Sequence, residues 1–178
     1  YTISDMADTA WTMWYSMKQG VDGFLRWSWD GWVEDPLTDV SYRTFEPGDA
    51  WLIYPAERDT ADEVFYESPR YKILKQGIRD INKAKWLQSL SSETSTAITQ
   101  LVQSLKRPKM KINQYGSATH ARNSDRQLVQ NEVRRMRNGL DEIARAYIQS
   151  RSIPITGVEN PSQSLSLRSG KSRQIQIE

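Results

Sequence analysis

The chain has 178 residues, 38% of them apolar, a mean hydropathy of -0.70 and a formal net charge of +2, enough for one ordinary core with something more loosely attached. That small net charge hides a split: residues 1–90 carry 10 basic against 15 acidic side chains, and residues 91–178 carry 14 against 7. No cysteine is present, which excludes disulfides, thiolate metal centres and a cysteine nucleophile, and no apolar run approaches the length of a membrane span.

Aromatic residues divide the same way, because all seven Trp, all three Phe and six of the eight Tyr precede residue 91. The chemistry is therefore sought in the first half. The start at "YTISD", without Met, suits a processed product or a piece of a longer protein, and no Asn-x-Ser/Thr glycosylation acceptor occurs.

In chain order, Ser4 is placed to cap a helix over about Asp5 to Gln19, with Met6, Ala10, Met13, Trp14 and Met17 on one face and Gly20 as its stop. "VDG" turns the chain, and "FLRWSW" is aromatic and β-prone enough for a strand, Leu25, Trp27 and Trp29 on one side and Phe24, Arg26 and Ser28 on the other. Residues 30–49 form a long loop with turns at "EDP" and "EPGD", and loops of that length in compact domains are usually functional or disordered. "AWLIYP", 50–55, reads as a second strand closed by Pro55, followed by a polar loop.

Ser68 then caps a helix with Pro69 in its first turn, running to about Leu87 with Ile73, Leu74, Gly77, Ile78, Ile81 and Lys85 inside. Glycine on such a stripe costs roughly 1 kcal/mol against alanine, so a close neighbour is expected at Gly77. Ser92 is placed to cap a helix through Leu105, ended by Pro108. Residues 106–123 are basic and polar. "SDRQ" at 124–127 opens a long helix in capping-box fashion, with Val129, Val133, Met136, Leu140, Ile143 and Tyr147 inside. From Arg151 onward Ser, Gln, Pro and Gly dominate, which predicts a flexible tail with short strand-like pieces at "LSL" and "QIQI".

Several spaced motifs in the first half form one pattern: Asp8 with Trp14 and Tyr15, Gly20 through Trp27, Trp32, Asp35 with Pro36, Gly48 through Pro55, and Ser68 and Arg70 with Gly77, Ile78 and Asp80. In that order and spacing they resemble the end of the catalytic barrel of glycoside hydrolase family 123 and its many bacterial relatives of unassigned function. The helix "LKQGIRDINK" departs from the family's Leu-Arg-x-Gly-Ile-x-Asp-Tyr-Glu, and Asp30 and Gly31 stand where Asn and Ser are common. Residues 91–178 match nothing comparable.

The resemblance implies an α/β fold: residues 1–90 supply the C-terminal strands and helices of a (β/α)8 TIM barrel, 91–150 a helical extension and 151–178 a polar tail. Such a barrel needs about 250 residues, so the rest of it is expected upstream or as another chain. The implied activity is hydrolysis of a terminal N-acetylhexosamine, a β-N-acetylgalactosaminide, by a retaining, substrate-assisted mechanism without a cofactor. Its Asp-Glu acid/base pair is expected outside this chain. Asp62-Glu63 and Asp141-Glu142 imitate that pair, but neither follows a strand. The family's setting implies a secreted, periplasmic or cell-surface protein.

An indole packs over the apolar face of a pyranose while its N–H donates to a hydroxyl, which makes Trp27 or Trp29 the sugar platform, with Trp32 on the same rim. Packing between barrel and helices is the alternative for each. Arg26 contacts substrate or forms an internal ion pair with Asp30, Asp35 or Asp8. Asp30 and Asp35 are candidate acceptors for sugar hydroxyls, although Asp35 before Pro36 also suits a turn, and Tyr54 either faces the cleft or joins the core. His120, the only histidine, receives no metal or catalytic role. "RRMR" at 134–137 fits a solvated helix face better than a nucleic-acid site. Two other functions remain open: a non-catalytic carbohydrate-binding barrel, and a structural or interaction protein.

Overall fold

A computed structural model describes residues 5–26, 28–31, 33–35, 37–43, 47–55, 65–112 and 118–151. Helix α1, Met6–Lys18, starts where the Asp5 carboxylate accepts the Ala7 N–H at 2.9 Å, so Asp5 rather than Ser4 is the N-cap. It ends just before Gly20, whose φ of 68° is open to glycine at little cost. Its buried face carries Thr9, Ala10, Met13 and Trp14, while Met6 at the first turn stays half exposed.

Helix α2, Pro69–Gln88, begins as its sequence dictates: the Ser68 hydroxyl accepts the Tyr71 N–H at 3.1 Å and proline occupies the first turn. Leu74, Gly77, Ala84 and Leu87 are its buried residues; Ile78 and Lys85, expected inside, are exposed. The inner stripe is narrower than expected, and at its glycine α1 comes close. A methyl group on Gly77 would lie 2.9 Å from Met13 Cγ and 3.1 Å from Ala10 Cα. The two helices run in the same direction, with Gly77 against Ala10 and Met13 and, further along, Lys85 Nζ 3.8 Å from Asp22.

Helix α3, Ser92–Gln103, is capped one residue earlier than expected: Ser91 and Thr94 exchange side-chain and backbone hydrogen bonds in a capping box. Helix α4, Asn123–Ser150, starts one residue before "SDRQ" and receives no side-chain cap. Asp125, inside that motif, instead accepts the Lys109 N–H at 2.9 Å and pairs with Arg122, tying the preceding segment down. All four helices share one core of Trp14, Ala84, Leu87, Ile98, Val102, Leu105, Met136 and Leu140.

The C-terminal end of α3 is clamped by charge. Lys18 donates to the carbonyls of Gln103 and Leu105 at 2.7 and 2.8 Å, where a cation meets the negative end of a helix. Glu132 on α4 is buried, which favours its neutral form, but hydrogen bonds from Arg135 and the Lys106 N–H outweigh burial and hold its carboxyl below the usual value.

Both sheets among the described residues are two-stranded antiparallel ribbons. β1, Ile53–Pro55, pairs with β2, Phe65–Glu67, with Tyr54 opposite Tyr66. β3, Met110–Ile112, pairs with β4, Ala118–His120, with Lys111 opposite Thr119. The second hairpin falls in the segment read only as basic and polar, because its sequence lacks the apolar alternation that marks a half-buried strand. The described part of "FLRWSW" is not a strand: Leu25 is 92% exposed and ladder partners are absent among the described residues. The fold shown is thus mixed helix and small sheet, and the predicted short strands in the tail lie outside the described residues.

Candidate functional site

The segment 26–31 lies alongside 48–54 through side-chain and carbonyl contacts instead of a ladder. Arg26 Nη2 is 3.1 Å from the Asp49 carboxylate and also donates to the Asp49 carbonyl. The Ser28 hydroxyl donates to the Ala50 carbonyl at 3.0 Å, and the Trp29 carbonyl accepts from Leu52 N and Ile53 N at 2.8 and 3.3 Å. Arg26 therefore has the internal ion pair that its burial demanded, but with Asp49 instead of Asp30, Asp35 or Asp8.

These contacts hold the Trp29 backbone and leave its ring at the surface. The indole is 42% exposed and stands edge-on to Tyr71 in the first turn of α2, centroids 5.0 Å apart at 79°. Lys75 Nζ lies 4.6 Å from the Tyr71 centroid and pairs with Glu67, which stiffens the support. An exposed ring fixed from behind suits a flat apolar ligand face.

On the 48–54 side of the seam, Trp51 is sealed, its indole N–H donating to the Val40 carbonyl at 3.1 Å. Tyr54 stacks on Trp51 at 5.5 Å with 6° between planes. Arg70 Nη2 donates to the carbonyls of Gly48 and Trp51 and to the Tyr54 hydroxyl, at 2.9, 3.1 and 3.2 Å. Gly31 lies over the Trp51 ring so closely that a methyl group there would meet it at 3.1 Å.

Of the sequence-predicted residues, Arg26, Trp29, Asp30 and Tyr54 thus gather along one seam. Asp30 is partly buried beside Gly31. Asp35 is exposed and builds its own turn, its carboxylate accepting Leu37 N and its carbonyl accepting Thr38 N and Asp39 N. Trp27 and Trp32 lie outside the described residues. Trp51, Tyr71 and Arg70 went unnoticed as site supports. Arg70 had a signal, its place two residues after the helix cap, whereas the Trp29–Tyr71 contact joins residues far apart in sequence.

Neither carboxylate doublet forms an acid/base site among the described residues. Asp62-Glu63 lies outside them. Asp141 is half exposed on α4, 2.6 Å from Lys83 Nζ, whose hydrogen bond holds the carboxyl below its usual value. The arginines of "RRMR" are largely structural: Arg135 binds Glu132 and the Ser104 carbonyl, and Arg137 binds Asp80 across α2 and α4 at 2.7 Å.

The His120 side chain is 5% exposed, and its Nε2 is 2.9 Å from Asp8 Oδ1 but poorly directed for a hydrogen bond. Burial, opposed by the nearby His120, raises the Asp8 carboxyl above its usual value. A further cleft of about 260 Å³ lies between α1 and α2 and is lined by Met13, Met17, Val21, Phe24, Ile78 and Ile81. No described helix is long and apolar enough to cross a membrane.

The family model described as the glycoside hydrolase 123 catalytic domain matches residues 1–87. Among solved structures, the chain is similar to a family 123 glycoside hydrolase from Clostridium perfringens, studied for glycolipid glycan hydrolysis, with 51% identity and a TM-score of 0.77 over 85% of this chain. The chain spans 26% of that protein's length. A match over 85% of the chain reaches past residue 87 into the helices that resembled nothing on sequence alone. No match was found among curated proteins.

Proposed function

Residues 1–87 are part of a glycoside hydrolase family 123-like catalytic domain, and from that premise we propose that the chain serves an enzyme releasing a terminal N-acetylhexosamine, N-acetylgalactosamine, from a glycan. The observation that carries this reading is the 51% identity to the Clostridium perfringens glycosidase. In this reading the described elements up to residue 90 are the last part of a (β/α)8 barrel, and those after it a helical extension. Helix N-termini in such a barrel mark the face where sites sit, and Trp29 lies against the first turn of α2 on that side.

Trp29 supports the apolar face of the sugar, and Trp27 and Trp32 extend the rim. Arg26 and Tyr54 hold the seam beneath it, and Asp30 and Asp35 offer acceptors to hydroxyls. The chemistry is retaining and substrate-assisted: the 2-acetamido oxygen attacks the anomeric carbon as the glycosidic bond breaks, one carboxylate orients the amide, and an adjacent Glu protonates the departing oxygen. Water then opens the cyclic intermediate, with the Glu acting as base. Both carboxylates come from the remainder of the barrel, upstream or as another chain. The exposure of Val21, Phe24, Leu25 and Ile78 supports such a partner, because burying that apolar edge is favourable.

The test is release of a chromogenic aglycone from an aryl N-acetyl-β-galactosaminide by the full-length protein. Turnover is expected. Absence of turnover with retained binding of the free sugar would replace the enzyme by a carbohydrate-binding barrel.

A further inference from the structure

The hairpin β3–β4 is set at the end of the helical layer where α1 begins. His120 on β4 lies against Asp8 on α1, and Lys109, just before β3, gives its N–H to Asp125 in the first turn of α4. The Ala121 N–H returns to the Lys109 carbonyl at 2.9 Å, closing the root. Because α1 and α2 run in the same direction, this end also carries Tyr71 and the Trp29 ring.

What the hairpin shows to solvent is unusual for a two-stranded ribbon. Ile112 is 76% exposed and Met110 46%, and Lys109 and Lys111, which flank Met110, are exposed too. Between Gln103 and Asp125 the sequence has five lysines and arginines and no acid. Among the described residues, the acids that touch the hairpin are withdrawn: Asp125 is buried and bonded to Arg122 and the Lys109 N–H, and Asp8 is tucked against His120. Apolar side chains interleaved with exposed cations match a surface that is anionic outside and apolar beneath.

We propose that the hairpin docks on an anionic lipid bilayer, Met110 and Ile112 entering the headgroup boundary while Lys109 and Lys111 meet lipid phosphates and carboxylates. The proposal rests on the glycosidase reading and adds a surface to it: the enzyme sits on a membrane, with the Trp29 end of the helical layer beside the docked hairpin. Each lysine near an anionic surface strengthens binding roughly fivefold, and burial of one isoleucine adds roughly tenfold or more.

Cosedimentation with vesicles tests the contact, using phosphatidylcholine alone or mixed with phosphatidylserine. The chain is expected to sediment with the mixed vesicles and several-fold less with the neutral ones. Ile112→Asp, and separately Lys109→Glu with Lys111→Glu, should each weaken vesicle binding by at least about tenfold at unchanged helical circular dichroism. Equal binding to both vesicles, indifference to both variants, or retention on duplex DNA in place of vesicles overturns the proposal. So does a full-length enzyme that ignores vesicles its own fragment binds, since the rest of the enzyme then covers the hairpin.

Activity separates this inference from the reading it rests on. In the full-length enzyme both variants should cut a soluble aryl glycoside normally and lose turnover of a vesicle-borne glycolipid, and unchanged glycolipid turnover refutes the hairpin's role. A full-length protein inactive on both substrates, whose vesicle binding still follows the variants, discards the glycosidase and keeps the membrane contact.

Discussion

Gly77 on α2 sits against Met13 on α1 so tightly that a methyl group on the glycine would come within 2.9 Å of Met13 Cγ. Met13 is flexible, but Ala10 Cα at 3.1 Å is backbone and yields only if the helix moves. Gly77→Ala therefore sets a helix-propensity gain of about 1 kcal/mol against an overpacking cost of about 1–3 kcal/mol. A net loss on the order of 1 kcal/mol is expected in chemical denaturation, and a stabilised variant would show that α1 and α2 separate freely.

Trp29 and Trp51 are adjacent in the seam but should behave oppositely. Trp29→Ala removes a half-exposed ring and is expected to leave the melt nearly unchanged while, on the proposed function, weakening binding of N-acetylgalactosamine to the full-length protein by about 1–3 kcal/mol. Trp51→Ala empties a sealed site and should cost about 3–5 kcal/mol of stability. If Trp29→Ala unfolds the protein instead, the ring is packing and the platform assignment falls.

Arg70 joins three oxygens of the 48–54 segment. Lysine keeps the charge without the planar fork, so Arg70→Lys should lose about 1.5–3 kcal/mol. Amide exchange would localise the change, with Trp51 and Tyr54 deprotected and α3 and α4 unaffected. Uniform deprotection would contradict this.

Asp8 should make stability depend on pH with an unusual sign. Burial raises its carboxyl above 3.8 in the fold, with Asp5 adding to the rise and His120 opposing it. A raised value means that the folded chain holds the proton longer than the unfolded one. The contribution is complete below pH 3.8 and is lost as pH climbs through the raised value. Relative to Asp8→Asn, the wild-type melting temperature should therefore fall across that window, and a relative rise would contradict the desolvation account.

Asp141 offers the contrasting case, an exposed pair with Lys83. Asp141→Asn should shift stability by less than about 1 kcal/mol. The proposed glycosidase turnover of the full-length protein should not change, and a large drop in kcat would restore Asp141-Glu142 as a candidate catalytic pair.

The sequence by itself determined the helices. Their starts and inner faces are encoded within a few residues, as at Ser68-Pro69, at Gly77 or along Val129, Val133, Met136 and Leu140, and the ordered motifs up to Asp80 located the family. Capping shifted by a residue at Asp5 and Ser91, since several neighbouring polar side chains compete for the same N–H groups. Strands were another matter. "FLRWSW" has the composition of a strand but no ladder among the described residues, and Met110–Ile112 has a ladder without the composition, because a strand is specified by its partner and not by its own pattern. Only the tertiary structure could decide that Arg26 meets Asp49, that Tyr71 backs Trp29 and that His120 rests on Asp8: each joins side chains 23 to 112 positions apart, and no local rule reaches that far.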